Sequence, residues 1–287
     1  MKNNVIIENG KYGLKAVITS TWSEDVAKYL IARNIAELEL NESKGWKGSD
    51  LSFLYDFSCL KSFEIIDLRP SIQDISPVNS LKNLKRLDIS TYCSTEINFF
   101  SFQKLEFCSL EWGKRKAQTL FDCTSLKELF LNRYNGKDTA PFSNLVNLES
   151  LAILNAPIED LKGVGQLKML KILRLARLKK LSSLSGIEGL RQLEELEIDT
   201  CSSIDSIKEI SHLSNLKKLS INNNGKVESL KPLEGLSDLE SVLFWESTDI
   251  IDGDLTPLLN KKLSRVSFQN RRHYSHKRED FGAAYLS

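Results

Sequence analysis

One nine-residue beat, apolar at its first, fourth, seventh and ninth positions, returns along nearly the whole chain and leaves few folds open. It reads "LVNLESLAI" from residue 145, "LKMLKILRL" from 167, "LRQLEELEI" from 190, "LSNLKKLSI" from 213 and "LSDLESVLF" from 236. Upstream stand "CTSLKELFL" from 123, "FQKLEFCSL" from 102, "LKNLKRLDI" from 81, "FSCLKSFEI" from 57 and "ARNIAELEL" from 32, and "NKKLSRVSF" follows from 260. The closing apolar residues fall at 40, 65, 89, 110, 131, 153, 175, 198, 221, 244 and 268, so the steps run from 21 to 25 residues. A fixed period of this length marks a stack of repeats.

Within each copy the final residues alternate with period two. In "LKKLSI", Leu219 and Ile221 point to one side of a strand and Lys218 and Ser220 to the other. One such strand cannot bury its apolar side alone, so the copies must stack, which joins the leucines into one core. Return segments carry a three-residue beat, as in Ile72, Ile75 and Val78 or Val227, Leu230 and Leu233, with Pro77 or Pro232 inside. That beat suits short, tight helical turns. The expected fold class is α/β: a curved horseshoe solenoid with a concave parallel sheet of about eleven strands and short helical or irregular turns on the convex side.

These copies resemble the leucine-rich-repeat superfamily over about residues 32–268, and "IQDISPV", "IEDLKGV" and "VESLKPLEGL" resemble the short bacterial repeats of the internalin type. The blocks "KGWKGSDLSFL" and "FQNRRHYSH" are similar to a bacterial family without an established biochemical role, so the resemblance implies a fold and little mechanism. In that superfamily an Asn, Cys or Thr three residues after the second strand leucine hydrogen-bonds neighbouring turns. Here only Cys201 and Asn224 fit; Ser43, Leu68, Tyr92, Gly113, Tyr134, Ala156, Leu178, Ser247 and Arg271 fill the other places. The expectation is therefore an irregular ladder with varied turns.

The ends read as caps, because terminal repeats need shielding. In residues 1–31, "LKAVITS" is strand-like, and "SEDVAKYLIAR" is a helix capped by Ser23 with Val26, Ala27 and Leu30 on its apolar stripe. Residues 269–287 form a basic cap or tail carrying Arg271, Arg272, Lys277 and Arg278, a candidate anion contact with Tyr274 available for stacking on a base.

Composition narrows the function. Lys and Arg number 39 against 38 Asp and Glu, which argues against dedicated nucleic-acid binding. No apolar run approaches the roughly 18 residues of a membrane span, and the N-terminal stretch lacks the pattern of a secretion signal. Five scattered cysteines form neither a disulfide framework nor a metal pair, which favours a reducing cytoplasm. His273 and His276 lack the further ligands a zinc site needs. Catalytic motifs are missing as well, so no catalytic residue, cofactor or metal is assigned.

The outward side chains of the sheet carry the functional reading. Glu37, Glu39, Glu64 and Asp88 make an acidic end. Phe107, Phe130, Leu154 and Ile172 offer apolar area, with Trp112 and Arg133 on adjoining turns. Glu195, Glu197 and Asp199 form a second acidic cluster beside Arg174 and Arg177, and Leu243 and Trp245 follow. Aromatic and arginine anchors within a polar rim suit a protein partner. The chain thus reads as a non-enzymatic cytoplasmic protein-binding module, monomeric alone, that engages its partner on the concave face, as an inhibitor or immunity protein sequestering a toxin. The alternative is a scaffold, or nucleic-acid-associated binding through the basic tail.

Overall fold

The computed structural model describes residues 4–69, 71–259 and 261–285. Contacts divide the chain into two compact units, Met1–Asn132 and Arg133–Ser287. The first unit holds strands β1 (Val5–Asn9), β2 (Leu14–Ile18), β3 (Glu37–Asn41), β4 (Ser62–Asp67), β5 (Arg86–Thr91), β6 (Phe107–Glu111) and β7 (Glu128–Asn132), with one helix, α1 (Glu24–Ile31). The second holds β8 (Ser150–Leu154), β9 (Ile172–Ala176), β10 (Glu195–Asp199), β11 (Lys218–Asn222), β12 (Lys226–Val227), β13 (Ser241–Phe244), β14 (Asp249–Ile250) and β15 (Arg265–Phe268).

In the first unit β1 and β2 form an antiparallel hairpin, and every later strand pairs in parallel with the one before it. In the second, β8, β9, β10, β11, β13 and β15 run parallel in that order, and β12 pairs with β14 as a separate two-strand ladder. The registers place repeat over repeat: Leu173, Leu196 and Leu219 align, as do Leu175, Ile198 and Ile221. All six are buried, so the alternation read from the sequence is the core.

The returns are 3-10 turns, as the proline-bearing three-residue beat predicts. Pro77 opens the turn Ser76–Ser80, and Ile72, Ile75 and Val78 lie in the core. Many turns start on an acid or hydroxyl two residues ahead: Asp74 accepts from the Ser76 amide at 2.8 Å, Asp138 from Ala140 at 2.9 Å and Asp254 from Thr256 at 2.9 Å. Such side chains satisfy the amides that a short helix leaves without partners.

The strand exits correct one expectation. One position after the strand repeats its backbone geometry even though the turns around it differ. Arg133, Asn155, Arg177, Thr200, Asn223 and Glu246 stand at the same place in successive copies, each in the left-handed region with φ between 53° and 61°. The amides of Arg133, Asn155, Arg177, Thr200 and Asn223 donate to the end of the next strand, at Leu154, Ala176, Asp199, Asn222 and Trp245, over 2.8–3.1 Å. Backbone geometry supplies the regularity that the varied side chains conceal.

The side-chain ladder is short, as the sequence implies, and spans three copies. Asn224 Oδ1 accepts from the Cys201 amide at 2.6 Å, its Nδ2 donates to Ile198 O and Asn222 O at 2.7 and 2.9 Å, and its own amide donates to Thr248 Oγ1 at 3.1 Å. Thr248, one residue beyond the expected ladder position, completes the series by donating to Ile221 O at 2.8 Å.

Both ends carry aromatic packing. Ser23 accepts from the Val26 amide to start α1, whose Val26 and Leu30 are buried, and Trp22 stacks on Phe53 at 3.6 Å. At the other end Phe268 stacks on Phe244 at 4.8 Å and meets Tyr274 and Phe281.

Asn224→Ala strips partners from several buried groups at once, each worth about 1–3 kcal/mol. We expect a loss of about 3 kcal/mol in urea unfolding followed by circular dichroism, against less than about 0.5 kcal/mol for the exposed Ser247→Ala.

Candidate functional site

In the first unit the outward residues between the paired strand apolars run in one row, Glu39, Glu64, Asp88, Ser109 and Phe130, fixed by the parallel register. Three carboxylates therefore stand on three neighbouring strands. Their surroundings differ sharply.

Glu39 is only 1% exposed. Burial alone raises its pKa, but hydrogen bonds from Lys15, Lys44 and Asn41 outweigh that and hold it below the usual value. Both ammonium groups lie 2.7 Å from its oxygens, and Asn41 Nδ2 lies at 3.1 Å. Glu37 is buried too, with the Tyr12 amide donating to its carboxylate and Gly10 packed against that carboxylate. The β1–β2 turn thus folds over Glu37, while Lys15 of β2 and Lys44 beyond β3 close on Glu39. The two glutamates do not offer the open acidic surface that their sequence position suggests.

Glu64 has no cation within ion-pairing distance among the described residues. Burial and then the charges of Glu39 and Asp88 push its pKa up. Asp88 is also raised, by burial against the pull of a Ser109 hydrogen bond and Arg86. Arg86 lies 3.3 Å from Asp88 and 3.6 Å above the Phe107 ring. Arg86 and Phe107 occupy equivalent places in consecutive copies, so the aligned sequence contains the signal for this contact. Beyond them Phe130 is 36% exposed.

Trp112 corrects a second expectation. It is 1% exposed and packs at 5.7 Å against Phe121 inside the stack, so it cannot serve a partner. Behind it lies a residue the sequence reading passes over: Arg115 is buried, and its guanidinium donates to Glu111 O, Thr91 Oγ1 and Cys93 O at 2.6, 2.9 and 2.8 Å. It ties the exits of β5 and β6 together where the repeat is least regular.

In the second unit Arg174, Glu195, Glu197, Lys218, Leu243 and Arg265 line a shallow depression of about 320 Å³ on the sheet face. Lys218 meets Glu195 at 2.5 Å, and Arg174 reaches Glu197 at 3.3 Å and Glu195 at 3.9 Å. Asp199 accepts from Thr200 Oγ1 at 3.0 Å. The cluster expected to be acidic is thus a lattice of paired charges. Leu154, Ile172, Leu243 and Trp245 are half-buried on this unit's sheet side, and Arg133 and Arg177 are exposed at the strand exits.

The basic tail is largely built into the fold. Arg271 meets Asp249 at 3.1 Å and donates to Thr248 O at 3.0 Å. Tyr274 is buried and bonded to Asp249 and the Ile250 amide, which removes the ring proposed for base stacking. Arg278 sits 5.5 Å from the Trp245 ring. Arg272 and Lys277 remain exposed.

No protein-family model matches the chain, and no curated protein matches it in sequence. Solved structures do. An internalin, inlF, from Listeria monocytogenes is 21% identical with a TM-score of 0.58, over 90% of this chain and 87% of that one. The fold is a leucine-rich-repeat solenoid. The functional domain of InlJ from Listeria monocytogenes, which includes a cysteine ladder, is 16% identical with a TM-score of 0.56, over 89% of this chain and 62% of that one. This solenoid therefore spans less than two thirds of the InlJ domain. No helix among its described residues is long and apolar enough to cross a membrane.

Neighbouring carboxylates on the solenoid face carry opposite pH signatures. A raised folded-state pKa means that ionised Glu64 costs stability above its ordinary 4.5, so Glu64→Gln should raise the unfolding midpoint at pH 7, with the gain fading as pH falls below 4.5. Glu39 has the reverse sign, so Glu39→Gln should destabilise at pH 7 and lose its effect on acidification. Thermal unfolding of both variants between pH 3.5 and 7 checks the pair.

Proposed function

We propose that this solenoid is a protein-binding module and that the sheet face of its first unit receives a basic protein surface. The carrying observation is the placement of Glu64, with no cation at ion-pairing distance among the described residues, beside Asp88 and next to the half-buried Phe107 and exposed Phe130. A carboxylate held under strain by burial and by like charges gains from a partner's Arg or Lys, and the aromatic rings give that partner apolar anchors. Taken by itself, the second unit presents Arg174, Glu195, Glu197, Lys218 and Leu243, whose alternating paired charges select against a uniformly charged surface.

The role that fits best is an inhibitor or immunity protein that sequesters a toxin domain with a basic cleft. An acidic and aromatic face steers such a partner into place and then covers it. All five cysteines are unpaired thiols, which supports action in a reducing cytoplasm.

Affinity capture from the native cell tests this reading. The wild-type chain should recover a stoichiometric basic protein with salt-sensitive retention. Phe130→Ala combined with Glu64→Gln should weaken its binding at least about tenfold, whereas Arg272→Gln with Lys277→Gln should leave it unchanged. Failure to recover a partner, or full retention by the face variant, contradicts the reading.

A further inference from the structure

The two outermost strands end differently. Beyond β15 the chain returns, and Tyr274 and Phe281 pack on Phe268, so the last strand is closed by folded structure. Beyond β1 no further strand pairs among the described residues.

Hydrogen bonding fixes what the free edge of β1 presents. The Thr19 amide donates to Asn4 O at 3.0 Å, and the Gly10 amide donates to Gly13 O at 2.8 Å. Antiparallel pairs alternate bonded and non-bonded positions, so Asn4, Ile6, Glu8 and Gly10 turn their amides and carbonyls toward β2. Val5, Ile7 and Asn9 turn theirs outward. Val5 and Ile7 pair with Ile18 and Ala16, two buried residues at the end of the apolar column, yet are themselves half-buried. Ile6 on the opposite side is 52% exposed. The edge from Asn4 to Ile7 has neither the proline nor the lysine that commonly guards such strands.

We propose that β1 pairs antiparallel with β1 of a second copy about a two-fold axis at Ile7. This register puts Ile7 opposite Ile7 and Val5 opposite Asn9, so all three outward-facing residues of each strand exchange both backbone bonds. It sets Glu8 opposite Ile6, so no like charges face each other, and Glu8 keeps its own Lys15 at 3.5 Å. Val5 and Ile7 of the second copy extend the apolar column that the first leaves half-covered. The edge is thus self-complementary in hydrogen bonds, charge and apolar pattern, which selects a second copy over an unrelated strand. It departs from the monomer expected on sequence grounds and does not depend on the proposed partner.

Sedimentation equilibrium of the full chain, from low to high micromolar concentration, should show twice the mass of one chain at the upper end. Ile7→Pro removes an edge amide without touching the β1–β2 bonds and should weaken the dimer at least about tenfold while circular dichroism stays unchanged. A second measurement covers misfolding of that variant. In a Cys59→Ser background, Ile7→Cys should crosslink to a covalent dimer with a short bismaleimide, whereas Leu14→Cys should not. A wild-type chain monomeric throughout, a dimer unaffected by Ile7→Pro, or equal crosslinking at Leu14 overturns the proposal.

Discussion

A strand whose alternate residues are leucine and isoleucine has one apolar side and no partner of its own to bury it. Stacking equivalent strands in parallel meets that need with the least new chain, because each copy both covers its predecessor and exposes the next apolar row. Registers such as Leu173, Leu196 and Leu219 follow from this constraint, and so does the alternation that turns Arg174, Glu197 and Ser220 outward. The core and the outward face are two sides of the same backbone. They can change independently as long as the apolar beat survives.

The strand exits show how the stack keeps its spacing without a uniform side-chain ladder. Six consecutive strand exits, from Arg133 to Glu246, place a left-handed residue at the same point, although the residue is Arg, Asn, Thr or Glu and never Gly. Left-handed geometry costs such residues about 1–2 kcal/mol each. An amide bonded to the end of the next strand offsets part of it at five of these places. The first unit lacks this regularity between β5 and β7, and buried Arg115 gathers the loose carbonyls instead.

Much of this was legible in the amino-acid order. The strand positions, the 3-10 returns, the Ser23 cap and the outward row from Glu39 to Phe130 follow from periodicities of two and three and from simple capping chemistry. Accessibility on the outward face was less legible. Glu37 and Glu39 read as surface because nothing local says that the Gly10–Gly13 turn covers Glu37 or that Lys15 and Lys44 close on Glu39. Trp112 reads as a turn residue because the copy that contains it is irregular, and its burial depends on Phe121 in the following return. Charge pairing escaped in the same way. Glu195 and Lys218 lie 23 residues apart and meet only once the register is known.

The central claim is the division of each strand between a sealed inner row and an open outer one. Cysteine substitution along β11 in a cysteine-free background, followed by maleimide labelling of the native chain, measures it directly. Fast labelling at 218, 220 and 222 with protection at 219 and 221 is the predicted result. Uniform labelling, or a pattern repeating every three to four residues, contradicts it.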